Sequence, residues 1–283
     1  MKKAISILLI ILTVVCVFPT GITASAETKA VKKVFIAPGH GGKDPGAVAN
    51  GYNEKDFNLV IALACAEYLS EYGVEVQMSR YTDEDDNSKE AECVAYNPDL
   101  AVSIHNNAGG GDGCEVYYSI KGGVSKTLAQ NILDQIVAIG QNSRGIKTRV
   151  DSKGIDYFDF MSKTKSPAVI VECAFIDNTK DLAIIDTVAE QKAMGVAIAK
   201  GILKTLNITE KPLKITYGLV TENEKITADD ALAVLQSVVE KIVFTEEQKI
   251  AGDVDGNGVI NSNDALLILQ FVVGKINKFP VEK

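Results

Sequence analysis

The sequence contains few of the residues that most often build metal sites. It has only two histidines, His40 and His105, and its five cysteines lack the close spacing of zinc-binding cysteine motifs. This scarcity argues against a cysteine-rich zinc module and limits any histidine site to two imidazoles. The cysteines after residue 26 suit buried thiols as well as disulfides. These four are Cys65, Cys93, Cys114 and Cys173.

The chain also lacks an excess of positive charge and a second long apolar run. Its net charge of −8 argues against nucleic acid as a partner. The single long apolar run, residues 4–18, follows two lysines and precedes Ala24-Ser25-Ala26, which together form the three regions of a secretory signal peptide. A run of about 15 residues is shorter than the roughly 20 that span a bilayer. We therefore expect a signal peptide over residues 1–26, no membrane span after cleavage, and a secreted protein with a net charge of −10.

Apolar strand-like runs alternate with helical patterns between residues 31 and 206, which is typical of α/β proteins. The patterns predict strands at about 32–38, 74–78, 99–104, 115–119 and 168–171. They predict helices at about 55–72, 88–96, 124–139 and 188–206. The expected fold is a mostly parallel β-sheet flanked by helices.

Three polar residues follow predicted strands directly, namely His40, His105 and Glu172. The carboxyl ends of parallel strands meet at one edge of a sheet, so these side chains should converge there. Glu54 begins the first predicted helix beside the same edge. A single histidine at a strand end is more often an ordinary hydrogen-bonded residue. Two histidines and one carboxylate are nevertheless a frequent ligand set for catalytic zinc, and we predict a zinc site formed by His40, Glu54 and His105.

Six segments between residues 31 and 206 together resemble a known enzyme family. They are APGHGGKDPGA, GYNEKDFNL, AVSIHNNA, GCEVYYS, SRGIK and SPAVIVECAFIDN. In this order they resemble the zinc-dependent N-acetylmuramoyl-L-alanine amidases of the amidase 3 type. The sequence departs from the usual pattern at Ala37, Glu92 and Ala174, none of which is a proposed ligand or base.

The resemblance implies a zinc amidase fold of the phosphorylase/hydrolase-like kind, with zinc on His40, Glu54 and His105 and with Glu172 as the catalytic residue. It implies a secreted, cell-wall-associated peptidoglycan hydrolase that cleaves the amide between N-acetylmuramic acid and L-alanine with a zinc-activated water. Glu172 would act first as general base and then as general acid.

Several alternatives remain open at this point. Glu172 could instead form an ion pair with Lys163 or Lys165, because an unpaired buried carboxylate is costly. The chain could also be a zinc-containing cell-wall-binding protein without activity. A third reading is a metallopeptidase that acts on stem peptides.

After residue 208 a short connector, residues 209–214, precedes an internal repeat. Residues 218–242 align without gaps with residues 252–276. The second copy has the oxygen ligands of a calcium loop, with a glycine at the turn. The predicted calcium ligands are Asp253, Asp255, Asn257, Val259 through its carbonyl, Asn261 and Asp264. The first copy has Leu219 at loop position 1 and Glu224 in place of the glycine, so we predict one calcium site.

Residues 215–283 resemble dockerin modules, in which paired loop-helix repeats fold around calcium. The resemblance implies a small all-α domain that binds a cohesin domain of a scaffold protein. Partner choice would depend on Ala228-Asp229 and Ser262-Asn263. The expected organisation is a signal peptide at 1–26, a zinc amidase domain at 31–208, a linker at 209–214 and a dockerin at 215–283.

Overall fold

A computed structural model describes residues 30–86, 88–210 and 215–282. The predicted signal peptide, residues 1–26, and residues 211–214 of the predicted linker lie outside the described residues. None of the helices in the described part of the chain is both long enough and apolar enough to cross a lipid bilayer.

A six-stranded sheet forms the centre of the first domain. The strands along the chain are β1 (Lys33–Pro38), β2 (Val48–Ala49), β3 (Tyr52–Asn53), β4 (Glu75–Met78), β5 (Leu100–Asn107), β6 (Cys114–Tyr118), β7 (Ser143–Lys147) and β8 (Ala168–Phe175). The order across the sheet is β4-β1-β5-β8-β6-β7, and β2 and β3 form a separate small antiparallel pair. All neighbours in the large sheet are parallel except β6 and β8, which confirms the mostly parallel α/β fold.

Helices cover both faces of this sheet. The helices along the chain are α1 (Glu54–Glu71), α2 (Lys89–Tyr96), α3 (Val124–Ala138), α4 (Asp159–Lys163), α5 (Thr179–Leu182), α6 (Val188–Thr205), α7 (Ala228–Val238), α8 (Glu246–Gly252) and α9 (Ser262–Val272). One face packs against α1, α3 and α6, and the other contacts α2 and α4. Alternate residues of the central strands therefore enter two different apolar cores, which explains their nearly continuous hydrophobic sequences.

The structure corrects two predicted strand ends. The strand predicted to end at 104 continues to Asn107, and the strand predicted at 168–171 continues to Phe175. The reason is that His105 and Glu172 pair with each other in the ladder between β5 and β8. Both side chains therefore project from regular strands, where backbone pairing fixes their direction more firmly than a loop would. The short strand β7 and the β2-β3 hairpin were not predicted.

The four described cysteines are free and buried. Of the two possibilities left open by the sequence, the structure has buried thiols. Burial raises the pKa of the Cys93 and Cys114 thiols to about 12. These thiols therefore act as small apolar side chains at neutral pH.

Residues 215–282 have their own apolar core, built mainly from α7, α9 and the segments around them. The two helices lie at equivalent positions of the sequence repeat, and each begins with a capping box. Thr227 pairs with Asp230 in the first box, and Asn261 pairs with Asp264 in the second. The repeat in sequence is thus a repeat of the same capped loop-helix unit.

Replacement of Asp181 by alanine is expected to destabilise the first domain. The Asp181 carboxylate is fully buried and accepts hydrogen bonds from the backbone amides of Gly113, at 2.9 Å, and Phe175, at 2.7 Å. Each buried amide left without an acceptor costs about 1–3 kcal/mol, so the free energy of unfolding in urea should fall by about 2–4 kcal/mol.

Asp177→Ala is the matched control for this change. Asp177 also accepts two backbone amides, those of Gly109 and Gly110, but its side chain is exposed. Water can replace it, so the free energy of unfolding should change by less than about 0.5 kcal/mol. Equal losses of unfolding free energy in the two variants would contradict the conclusion that burial makes the hydrogen bonds of Asp181 more important than those of Asp177.

Candidate metal and catalytic site

The two histidines and Glu54 converge at the carboxyl edge of the parallel strands. His40 follows β1, His105 lies on β5, and Glu54 is the first residue of α1. The distance from His40 Nε2 to Glu54 Oε2 is 3.2 Å, and that from His105 Nδ1 to Glu54 Oε1 is 3.0 Å. One ligand atom from each of the three residues lies within 4.8 Å of the others. The structure thus brings together all three residues of the predicted zinc site.

Backbone geometry explains the glycines around His40. His40 has a φ of 61°, in the left-handed region that non-glycine residues rarely adopt, so its ring direction is set by an unusual turn. A Cβ at Gly39 would lie 2.1 Å from the His105 ring, and one at Gly46 would lie 2.6 Å from Glu54 Oε2. Only glycine fits at these two positions, because the site residues occupy the space of a side chain.

Hydrogen bonds on the outer side of each ring orient the two histidines. Asp44 Oδ2 lies 2.8 Å from His40 Nδ1, and Ser103 Oγ lies 3.1 Å from His105 Nε2. These contacts leave His40 Nε2 and His105 Nδ1 directed at Glu54. Such outer partners commonly fix the tautomer of a metal-binding histidine.

Two supporting residues, Arg80 and Asn58, were missed by sequence reasoning. Arg80 is buried and donates to the carbonyls of Gly39, at 3.2 Å, and Lys55, at 2.9 Å, so it ties the end of β1 to the start of α1. Asn58 donates to Glu54 Oε1 at 3.2 Å and accepts from Asn106 at 2.9 Å. The available signal for Arg80 was a charged residue two positions after strand β4.

The charges at the site suit a cation. The hydrogen bond to Glu54 raises the pKa of His40 to about 9, although burial acts in the opposite direction. Burial lowers the pKa of His105. Burial also acts to raise the pKa of Glu54, but the hydrogen bonds to His105 and His40 outweigh it and hold that pKa well below its ordinary value. Glu54 is therefore an ionised carboxylate between two imidazoles.

These residues fit zinc. Two imidazole nitrogens and one carboxylate are a common donor set for catalytic zinc, which leaves a further position for water or substrate. Bonds of about 2.1 Å in tetrahedral geometry place neighbouring ligand atoms about 3.4 Å apart. Each histidine nitrogen lies at a comparable distance from one of the two Glu54 oxygens, 3.2 Å for His40 and 3.0 Å for His105, so the three groups can reach one ion.

Glu172 lies on the same face of the sheet as His105, because the two residues are register partners in neighbouring strands. Burial raises the pKa of Glu172 to about 8, with smaller contributions from the charges of Glu54 and Glu115. Within the described residues, Glu172 forms no hydrogen bond or ion pair, and Lys163 instead pairs with Asp159 at 2.7 Å. The ion pair considered for Glu172 with Lys163 or Lys165 is therefore absent from the described structure.

The second repeat brings three of its predicted calcium ligands together. Carboxylate oxygens of Asp253, Asp255 and Asp264 lie within 4.8 Å of one another. Burial raises the pKa of Asp264, and the charges of Asp255 and Asp253 add to this effect, so the cluster suits a cation. The other predicted ligands occupy the same loop. The Asn257 side chain accepts a hydrogen bond from the backbone amide of Val259. The backbone carbonyl of Val259 accepts one from Asn261 Nδ2, and Asn261 also caps α9.

The first repeat closes through the same backbone bonds as the second, in which Asp264 accepts from the Val254 and Asp255 amides. Asp230 accepts hydrogen bonds from the Val220 and Thr221 amides, both at 2.9 Å, and from the Thr221 hydroxyl at 2.7 Å. Although burial acts to raise the pKa of Asp230, these bonds and that from the Thr227 amide lower it. The loops differ in that the first has the Thr221 hydroxyl bonded to Asp230, where the second has Asp255 in a cluster of three acids.

Known protein families match two separate parts of the chain. Residues 34–204 match the family described as N-acetylmuramoyl-L-alanine amidase, and residues 217–272 match the dockerin type I domain. The chain is 33% identical over 208 residues to the sporulation-specific N-acetylmuramoyl-L-alanine amidase of Bacillus subtilis, a match that covers 71% of this chain and 79% of that protein.

Solved structures give the same result for the first domain. Cwp6 from Clostridium difficile is 42% identical with a TM-score of 0.61, and the match covers 62% of this chain and 30% of that one. The N-acetylmuramoyl-L-alanine amidase AmiC2 of Nostoc punctiforme is 30% identical with a TM-score of 0.57, covering 62% of this chain and 97% of that one.

Proposed function

Because the chain belongs to the N-acetylmuramoyl-L-alanine amidase family and contains a dockerin type I domain, we propose that it is a secreted, zinc-dependent peptidoglycan amidase attached to a scaffold. It would hydrolyse the amide between N-acetylmuramic acid and L-alanine. The observation that carries the proposal is the convergence of His40, Glu54 and His105 beside Glu172, which has no partner in the part of the chain that the structure describes.

The four residues have separate tasks in this mechanism. Zinc held by His40 Nε2, Glu54 and His105 Nδ1 would supply a Lewis acid that polarises the carbonyl and activates water. Glu172 lies one strand away from His105, or about 4.8 Å across the sheet. Its carboxylate takes a proton from the attacking water and passes it to the nitrogen that leaves with L-alanine. A pKa raised to about 8 lets Glu172 hold that proton near neutral pH.

Mass spectrometry of peptidoglycan digested by residues 27–283 tests the bond that is cut. An amidase releases peptides with new L-alanine amino termini and leaves the lactyl carboxylate on the sugar. A metallopeptidase on stem peptides would expose other amino termini, and a wall-binding protein would release no fragments. Either of these two outcomes would overturn the proposal.

We infer that residues 31–208 form the zinc amidase domain and that residues 215–283 attach the protein to a scaffold. Residues 1–26 would be the signal peptide and residues 209–214 the linker. Support comes from the separate apolar cores and from the two family matches. The partner of the dockerin would be a cohesin domain, contacted through Ala228-Asp229 and Ser262-Asn263. A cell-wall amidase with such a module is expected to act outside the cell.

Asp44→Asn is expected to weaken zinc binding by about 10- to 100-fold, which is the usual effect of losing an outer-sphere carboxylate. The reason is that Asp44 accepts from His40 Nδ1 and so directs His40 Nε2 at the metal position. Competition with a chromogenic chelator measures the affinity. Asp56→Asn, an exposed acid in the first turn of α1, is the control and should bind zinc as the wild type does. Unchanged zinc affinity in Asp44→Asn would contradict the role of this hydrogen bond.

Calcium titration of the full chain is expected to show one bound ion. The proposed site uses Asp253, Asp255, Asn257, Val259, Asn261 and Asp264. Removal of one carboxylate by Asp255→Ala should abolish calcium binding and the rise in melting temperature that accompanies it. Asp229→Ala changes an exposed acid of the first repeat and should leave both unchanged. Two ions per chain by isothermal titration calorimetry would contradict the single-site prediction.

A further inference from the structure

A buried glutamate lies directly beside Glu172. Glu115 on β6 is the cross-strand partner of Glu172, so both side chains leave the sheet on the same face. Its Oε2 accepts from Arg144 Nε at 2.7 Å and also from Lys147 Nζ, while its Oε1 accepts from the Tyr117 hydroxyl at 2.9 Å. The mechanism proposed above gives this cluster no task.

The local sequence explains how both cations reach one carboxylate. Cys114 pairs with Ser143 and Val116 pairs with Ile146, so β7 has one more residue than β6 over this interval. Such a bulge changes the direction of the side chains beside it. Gly145, inside the bulge, has a φ of 83°, which favours glycine. As a result, the segment SRGIK presents Arg144 and Lys147 together toward Glu115.

The cations have more hydrogen-bonding capacity than Glu115 uses. The Glu115 side chain is 4% exposed, whereas those of Arg144 and Lys147 are 36% and 34% exposed. Within residues 30–86, 88–210 and 215–282, the terminal nitrogens of Arg144 have no acceptor and Lys147 Nζ donates only to Glu115. Two cations and one carboxylate leave one net positive charge on two side chains that are partly exposed to solvent.

The order of the strands places this positive charge and the zinc ligands on opposite sides of Glu172. The zinc ligands lie on the β5 side of Glu172, and Glu115 lies on the opposite side. The nitrogen that receives a proton from Glu172 carries L-alanine, and a stem peptide that extends from it away from the zinc ligands would run over β6 toward β7. Strands are about 4.8 Å apart, which places β7 about 10 Å from Glu172. An extended residue spans about 3.5 Å, so this distance corresponds to about three residues.

We propose that Arg144 and Lys147 form a subsite for a carboxylate of the stem peptide, within about three residues of the scissile amide. Guanidinium and ammonium groups form short, charge-assisted hydrogen bonds to carboxylates. Glu115 is a positioning residue, because it holds both cations on the face that bears Glu172. The inference rests on the proposed amidase function and adds to it a preference for acidic stem peptides.

The test compares two forms of one substrate on the zinc-loaded full chain. The substrate is N-acetylmuramoyl-L-alanyl tripeptide with its carboxylates either free or all converted to amides. The wild type should have a kcat/KM about 10- to 100-fold higher for the free acid, mainly through KM. In Arg144→Gln this ratio should fall toward one, and in the charge-matched Glu115→Gln/Lys147→Met variant, which keeps Arg144 but loses Lys147, it should fall less. Lys121→Met removes an exposed lysine elsewhere and should keep the wild-type ratio.

Two results would overturn the subsite. One is equal kcat/KM for both substrates in the wild type. The other is a proportional loss on both substrates in the variants, which would indicate that the cluster only supports the fold. If neither substrate is cut, the amidase proposal fails, and the subsite is then judged by calorimetric binding of the same pair to Glu172→Gln. Tighter binding of the free acid that depends on Arg144 supports the subsite, and equal binding overturns it.

Discussion

Glu172→Gln is expected to lower kcat by about 10²- to 10⁴-fold, the usual contribution of a general acid or base, while zinc content stays at the wild-type level. Glutamine has nearly the same shape as glutamate, but it cannot take up and release the proton that moves from water to the leaving nitrogen. Zinc should remain because the carboxylate of Glu172 is not among the three converging ligand groups. Release of L-alanine amino termini from peptidoglycan measures kcat.

The same variant is expected to be more stable than the wild type in the metal-free state at alkaline pH. Burial raises the pKa of Glu172 from its ordinary 4.5 to about 8, so the folded state binds this proton more tightly than the unfolded chain does. The wild type therefore loses stability as the pH rises from about 4.5 to about 8. Melting temperatures of wild type and variant should converge near pH 4 and differ most at pH 8 and above.

Glu67→Gln is the matched control, because Glu67 is an exposed residue of α1. It should keep wild-type activity, zinc content and melting behaviour. Full activity in Glu172→Gln would remove this residue from the mechanism. Loss of zinc together with activity would instead assign it to metal binding.

Glu54→Gln is expected to lower zinc affinity by more than about 100-fold, which is the largest usual effect of losing a residue that only orients a metal ligand. Activity should be lost in parallel. Glu54 is the one carboxylate among the three ligand groups and faces both histidine rings. It also accepts hydrogen bonds from the amides of Ala47, at 2.9 Å, and Asn106, at 3.2 Å. An amide NH₂ cannot accept at either position, so one backbone donor loses its partner.

Zinc content after dialysis, measured by atomic spectroscopy, gives the direct readout for Glu54→Gln. Glu67→Gln again serves as the control, since it changes the same functional group on the same helix. Full zinc retention in Glu54→Gln would contradict the proposed ligand set. Loss of activity with zinc retained would show that Glu54 acts only through its hydrogen bonds.

The sequence identified the residues that converge at the site better than the geometry that supports them. His40, His105 and Glu172 were recognisable because each follows an apolar run in the sequence, and parallel strands bring such positions to one edge. The extensions of β5 and β8 were not recognisable, since they depend on pairing between His105 and Glu172, which are far apart in sequence. The role of Arg80 was hidden for a similar reason, because its acceptors are carbonyls of other segments.

In the dockerin module, too, the sequence predicted which residues cluster but not all of the hydrogen bonds that hold the loops. The spacing of Asp253, Asp255 and Asp264 predicted a cluster, because loop position alone nearly determines where their carboxylates lie. The way in which Asp230 closes the first loop depends on donors of Thr221 and Val220. A sequence pattern for calcium ligands contains no information about these bonds. The predicted zinc and calcium assignments remain proposals for metal analysis.

The most direct test of the account is zinc restoration to the metal-free full chain, followed by mass spectrometry of digested peptidoglycan. The account predicts new L-alanine amino termini when one equivalent of zinc is added to the wild type. It predicts none without zinc, and none above background with zinc-loaded Glu172→Gln. Intact peptidoglycan after treatment with the zinc-loaded wild type, or equal cleavage by the zinc-loaded variant, would contradict the account.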